Sequence, residues 1–198
     1  HGDVTHGGIK RVFIDEVDGV KQGAVFRFIQ GLDAGINRTV WGPDGNLYAG
    51  GVGSGGNWRH EGRLWYALHR FKYNEKSTFE MLAVRAKSKG MEIEFTEPIA
   101  SNELVNGDAF EAQQFYYEAT EEYGGPKLGV EDLEIKSVSL SADMKKVFLE
   151  IEGILENKVV YIHIKKPFKS ENDQSLWSTE TWYTMTKKPV DGPRIKNP

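Results

Sequence analysis

Asn57-Trp58-Arg59-His60, followed closely by Trp65 and Tyr66, brings an amide, a guanidinium, an imidazole and three large aromatic rings into one short stretch. Sugars are bound by such sets: their C–H faces stack on Trp or Tyr, and Asn, Arg and His hydrogen-bond their hydroxyls. The cluster lies in the glycine-rich run Gly51 to Gly62, where missing Cβ atoms let a backbone approach a ligand closely. The competing structural reading is that Trp58 and Trp65 cover an otherwise exposed sheet. The likeness to a phosphate-cradling glycine loop is superficial, because no Gly-Lys-Ser/Thr occurs there and no helical pattern follows.

Metal chemistry has one candidate pair, His1 and His6, which would chelate best if the terminal amine of His1 also coordinates. The plainer alternative is a polar terminus with incidental histidines. His69 and His163 fall inside strand patterns and read as structural. Paired carboxylates occur at Asp15/Glu16, Glu92/Glu94, Glu121/Glu122 and Glu131/Asp132. Glu92 and Glu94 share one face of a strand, a spacing that a glycosidase pair uses, yet that face is the polar side of an alternating segment. Without a Gly-X-Ser-X-Gly elbow a serine nucleophile has no support. No residue is therefore assigned a catalytic role.

Composition narrows the classes further. The chain has 198 residues and no cysteine, which removes disulfides, thiolate zinc sites, iron–sulfur clusters and cysteine nucleophiles. A net charge of -4 argues against nucleic acid as a partner. No run of about 18 apolar residues is present, so no membrane span is expected. The first residues lack the charged-then-apolar layout of a signal peptide and read as a mature or excised start. Glycine at 22 residues and aromatics at 12% favour short strands and tight turns.

These side chains have to be positioned by strands. Lys10–Val17 and Ala24–Ile29 are strand candidates joined through Asp18-Gly19. Asn37–Gly51 reads as a hairpin turning at Pro43-Asp44-Gly45, with Pro43 setting φ at the first turn position. Leu64–Phe71 is an aromatic-rich strand. A boundary is expected at residues 73–77, after which alternation sharpens: Met91, Ile93 and Phe95 face a core. A short helical turn is expected within Glu103–Ala112, strand again at Gln113–Glu118, and a surface loop over Thr120–Glu131. Strands Ile135–Leu140, Lys146–Ile151 and Val159–Ile164 follow, and Trp177–Met185 closes the set. The expectation is all-β: partial propeller-like antiparallel strands over residues 1–74, an Ig-like β-sandwich over 75–190, and a loose tail over 191–198.

With those residues in view, the chain resembles the C-terminal region of secreted bacterial glucose/sorbosone dehydrogenase-like β-propeller proteins, the pyrroloquinoline quinone type. The resemblance is carried by Thr5–Phe13, Gln22–Phe28, Trp41–Gly51, Trp65–Phe71 and Phe79–Val84. From Glu92 to Thr184 the chain is similar to the bacterial Ig-like domain appended to such propellers. It implies a periplasmic or secreted location, and partners in the form of the remaining blades or another domain. Only one to two blades fit in the first part, and no quinone or catalytic position of the family can be matched here. The chain itself is thus expected to hold no cofactor, pyrroloquinoline quinone belonging to a complete parent protein. Three functions follow: a non-catalytic C-terminal module of such a protein, a free-standing carbohydrate-binding or cell-surface module using the Trp58 region, and, last, an independent quinoprotein dehydrogenase.

Overall fold

A computed structural model describes residues 1–53, 64–121 and 124–191, and in them the chain is all-β with antiparallel pairing. It divides into two compact units. The first is His1–Val12 with Val25–Ser77, and the second is Phe13–Ala24 with Thr78–Pro198. One long hairpin, β2 (Gly8–Val17) and β3 (Val20–Ile29), contributes its open end to the first unit and its tip to the second. Its two-residue loop is Asp18-Gly19, with φ of 49° and 80°. Both positive angles match the strand twist, which is why Asp-Gly closes hairpins tightly.

In the first unit β1 (Gly2–Asp3) pairs with β2, although a polar glycine-rich start suggests irregular chain there. The second sheet is a three-stranded meander of β4 (Gly35–Trp41), β5 (Leu47–Val52) and β6 (Tyr66–Phe71). The β4–β5 turn forms as its residues require. The Gly45 amide donates to the Gly42 carbonyl at 3.0 Å, and Gly45 itself adopts φ 73°. Hydrogen bonds from the Asn46 amide group and the Tyr48 hydroxyl (2.8 Å) brace Asp44 and hold its carboxyl below the usual range. Among the described residues of this unit, one buried cluster holds Ile9, Leu32, Ile36 and Ala49, with Ile29, Leu47 and Phe71 packed against it, and Phe26 and Ala34 are buried as well.

The second unit holds two sheets. One has the order β11 (Ile135–Leu140), β12 (Lys146–Ile151), β8 (Gly90–Phe95), β7 (Met81–Lys87). The other runs β14 (Glu180–Met185), β13 (Lys158–Ile164), β9 (Phe110–Tyr116), β10 (Leu128–Leu133), with β3 beyond β14. The chain changes sheets at Glu134, between β10 and β11. Alternation does what period 2 demands: Met91, Ile93 and Phe95, then Val147, Leu149 and Ile151, then Val160, Ile162 and Ile164 are all buried. Phe168 joins the two sheets, its ring 5.4 Å from Phe95 and 6.3 Å from Phe110.

Two local features depart from the sequence expectation. Leu128–Leu133, placed largely in a loop, is an edge strand; Gly129 at φ 56° and a register shift between Leu128 and Glu131 erase its alternation. In β7 a shift between Met81 and Ala83 lets Met81, Ala83, Val84 and Ala86 all be buried while Leu82 turns outward. That resolves why both faces of this segment carry apolar residues. The expected helical turn is a single 3-10 turn at Gly107–Ala109, capped by the Asn106 side chain on the Asp108 amide.

Candidate functional site

Of the sugar-type cluster, Asn57, Trp58, Arg59 and His60 lie outside the described residues, while Trp65 and Tyr66 are described. The Gly53 amide donates to the Trp65 carbonyl at 2.7 Å, extending the β5–β6 ladder by one pair. Trp65 lies in the bend just before β6, and Tyr66 is the first residue of that strand. Both rings are open to solvent, at 70% and 81% exposure, so Trp65 plugs nothing among the described residues.

Tyr66 instead belongs to a sheet face that no other described residue covers. Cross-strand register aligns Val40, Tyr48 and Arg70, then Arg38, Gly50 and Leu68, then Val52 and Tyr66. Val40 and Leu68 are strongly exposed, and a Cβ added at Gly50 would meet nothing within 4 Å. The opposite face, with Leu47, Ala49 and Phe71, belongs to the buried cluster. Among the described residues, one side of the meander is packed at Leu47, Ala49 and Phe71, although Trp41 beside Leu47 is exposed, and the other presents apolar side chains between two arginines.

The histidine pair has separate duties. His6 Nδ1 lies 3.2 Å from Asp3 Oδ2, whose other neighbour is Lys10 Nζ at 3.2 Å, and the terminal amine of His1 donates to the Lys10 carbonyl at 2.9 Å. Burial pushes the Asp3 carboxyl up, but the His6 amide and the Lys10 ammonium outweigh it and hold the group below its ordinary range. Among the described residues no group of three or more His, Asp or Glu side chains is arranged to hold a metal ion. Glu92 and Glu94 both engage Arg85, at 3.6 and 2.6 Å, and Glu92 also meets Lys87 at 3.3 Å. The pair is a neutralised surface ion network.

Two constellations escaped the sequence. In the second unit Tyr183 is fully buried on β14, donates to Asp15 Oδ2 at 2.7 Å and accepts from Gln22 Nε2 at 2.8 Å. Asp15 also accepts from the Ala86 amide at 3.0 Å, and Gln22 caps the Thr186 and Lys187 amides. Burial first, then the hydrogen bond to Asp15, drive the Tyr183 phenol far above its ordinary range. Its role is to pin the hairpin tip Phe13–Ala24 within this unit, and a neutral, doubly bonded phenol has no spare capacity for chemistry.

The second constellation is a row of outward side chains on β10–β9–β13–β14. Register puts Asp132, Gln113, Tyr161 and Trp182 side by side, with Glu111, His163 and Glu180 in the next outward row. The Tyr161 ring is 5.5 Å from Trp182 and 6.3 Å from His163, and its hydroxyl donates to Glu180 Oε1 at 2.7 Å. Tyr161 and His163 on β13 and Trp182 on β14 are visible as ring-bearing residues, but only the pairing register reveals that they meet. No protein-family model matches the chain, and neither a curated protein nor a solved structure is found similar to it. The class established is thus an all-β chain of two antiparallel units.

Proposed function

We propose that this chain is a non-catalytic module of a longer, secreted protein of the sugar-dehydrogenase-like propeller type, joining blade strands to an immunoglobulin-like sandwich. The observation that carries the reading is the β4–β5–β6 meander, with one packed face and one apolar face open at Val40, Leu68 and Tyr66. Blades of a propeller are antiparallel meanders of four strands whose faces are buried by neighbouring blades. A three-stranded sheet packed on one face fits one member of such a ring. For the sandwich, the support is strand order. With β7, β8, β9, β11, β12, β13 and β14 taken as A to G and β10 as an added strand, the sheets read A-B-E-D and C-F-G, as in constant-type immunoglobulin domains.

Catalysis by the chain itself has no support in the described residues: the histidines are engaged singly, the Glu92/Glu94 pair is ion-paired, and Tyr183 is locked. The discriminating experiment is the mass of the native gene product. A polypeptide several times larger than 22.3 kDa, with further blade-like repeats upstream, is expected. A mature native product of 22.3 kDa would overturn the reading in favour of a free-standing binding module.

A further inference from the structure

The geometry points to a glycan-binding platform on the outward face of β9, β10, β13 and β14, specific for neutral oligosaccharides. It is a different site from the Trp58 stretch, and it stands whether or not the chain belongs to a larger propeller.

Three observations converge on it. First, three rings are contiguous: His163, Tyr161 and Trp182 follow one another at centroid distances of 6.3 and 5.5 Å with tilts of 30° and 39°. All three are half-buried, so each is held by its neighbours while part of its ring faces outward. Held rings suit C–H stacking, because little side-chain entropy is left to lose on binding. Second, polar groups that match vicinal hydroxyls flank the rings. The Gln113 amide donates to Asp132 at 2.7 Å and keeps its carbonyl and second N–H for a ligand, and Glu111 and Glu180 edge the next row. Third, a groove of about 470 Å³ adjoins the Gln113 and Asp132 end of the row; Asp108, Glu111 and Lys165 also line it, and the three rings lie outside it. That volume falls in the range of ligand clefts.

The dimensions suit a short chain of sugars. Four neighbouring strands span about 14 Å at their usual spacing, from Asp132 across Gln113 and Tyr161 to Trp182. Charge selects the class of sugar. The carboxylates Asp108, Glu111, Asp132 and Glu180 outnumber the cations Lys165 and Lys127, the latter lying 5.4 Å over the Tyr161 ring. A uronate or a sulfated glycan would meet net repulsion there, whereas neutral hydroxyls find acceptors and donors in abundance.

Isothermal titration of the full chain with cello-, xylo-, malto- and chito-oligosaccharides, and with oligoalginate as the acidic probe, tests this. Binding of at least one neutral series with quenching of tryptophan fluorescence is expected. Trp182→Ala and Tyr161→Ala should each weaken it by about ten-fold or more. Gln113→Ala, which keeps every ring and so guards against a folding defect, should weaken it by a few-fold, about 3 to 10. Trp65→Ala should leave it unchanged. The proposal is overturned if no neutral series binds at millimolar concentration, if only oligoalginate binds, or if binding survives Gln113→Ala intact and a folded Tyr161→Ala or Trp182→Ala.

Discussion

Replacing Tyr183 by Phe removes one oxygen atom from a fully buried position and two hydrogen bonds with it, to Asp15 at 2.7 Å and from Gln22 at 2.8 Å. A bond to a carboxylate contributes about 1.5–3 kcal/mol and one to an amide about 0.5–1.5 kcal/mol. Neither partner is stranded, because Asp15 keeps the Ala86 amide and Gln22 Nε2 keeps the Lys187 carbonyl at 2.9 Å. The expected loss therefore sits near the lower end of the combined range, at about 2–3 kcal/mol. For a chain of this size that lowers the melting point of the second unit by about 4–12 °C. Urea titration followed by near-ultraviolet circular dichroism measures it, and a double-mutant cycle with Asp15→Ala isolates the pairwise part. The same group has an alkaline signature. Since the native phenol holds its proton far above the range in which the unfolded chain releases it, this stabilisation is complete below about pH 10. Above that pH it is lost as pH rises, by about 1.4 kcal/mol per pH unit. The Phe variant should lack this component. A cost below about 0.5 kcal/mol, or an alkaline slope identical in both proteins, would refute the pinning role.

Three further outcomes follow from the packing. Phe168→Ala, which empties the ring at the centre of Phe79, Phe95 and Phe110, should cost about 3–5 kcal/mol by chemical denaturation. Gly90→Ala should prevent folding of the second unit, seen as lost circular dichroism, because its Cβ would lie 1.9 Å from the Leu149 carbonyl oxygen at φ 155°. Asp3 has a depressed carboxyl, so its contribution is present at neutral pH and disappears as pH falls below about 4. Asp3→Asn should accordingly narrow the difference between urea midpoints measured at pH 7 and pH 3, and an unchanged difference would contradict the Lys10 and His6 contacts.

Much of the fold was legible because one face of the central sandwich strands is dry. Met91, Ile93 and Phe95 announce their strand by alternation alone, and Asp18-Gly19 and Pro43-Asp44-Gly45 announce their turns by the dihedral angles they accept. β10 was not legible, since an edge strand with exposed side chains and a glycine in the left-handed region carries no period. The assignment of Phe13–Ala24 to the second unit was hidden for another reason. It depends on Asp15 meeting Tyr183, a contact spanning 168 residues, and nothing local in Asp15 points to it. The platform row lies between these cases. Tyr161 and Trp182 are visible as strand aromatics, but a slip of one residue in pairing would have placed them on opposite faces.

Hydrogen exchange measured side by side on this chain and on the longer polypeptide that the proposed function requires tests the central claim most directly. In the chain alone, amides of β4, β5 and β6 should exchange well before those of β12, β13 and β14, because the meander has one open face. Within the longer protein, protection of β4–β6 should rise to match β12–β14, while β12–β14 stay as they were. Equal protection of β4–β6 in both polypeptides would contradict the account, since the apolar face at Val40, Leu68 and Tyr66 would then have gained no cover.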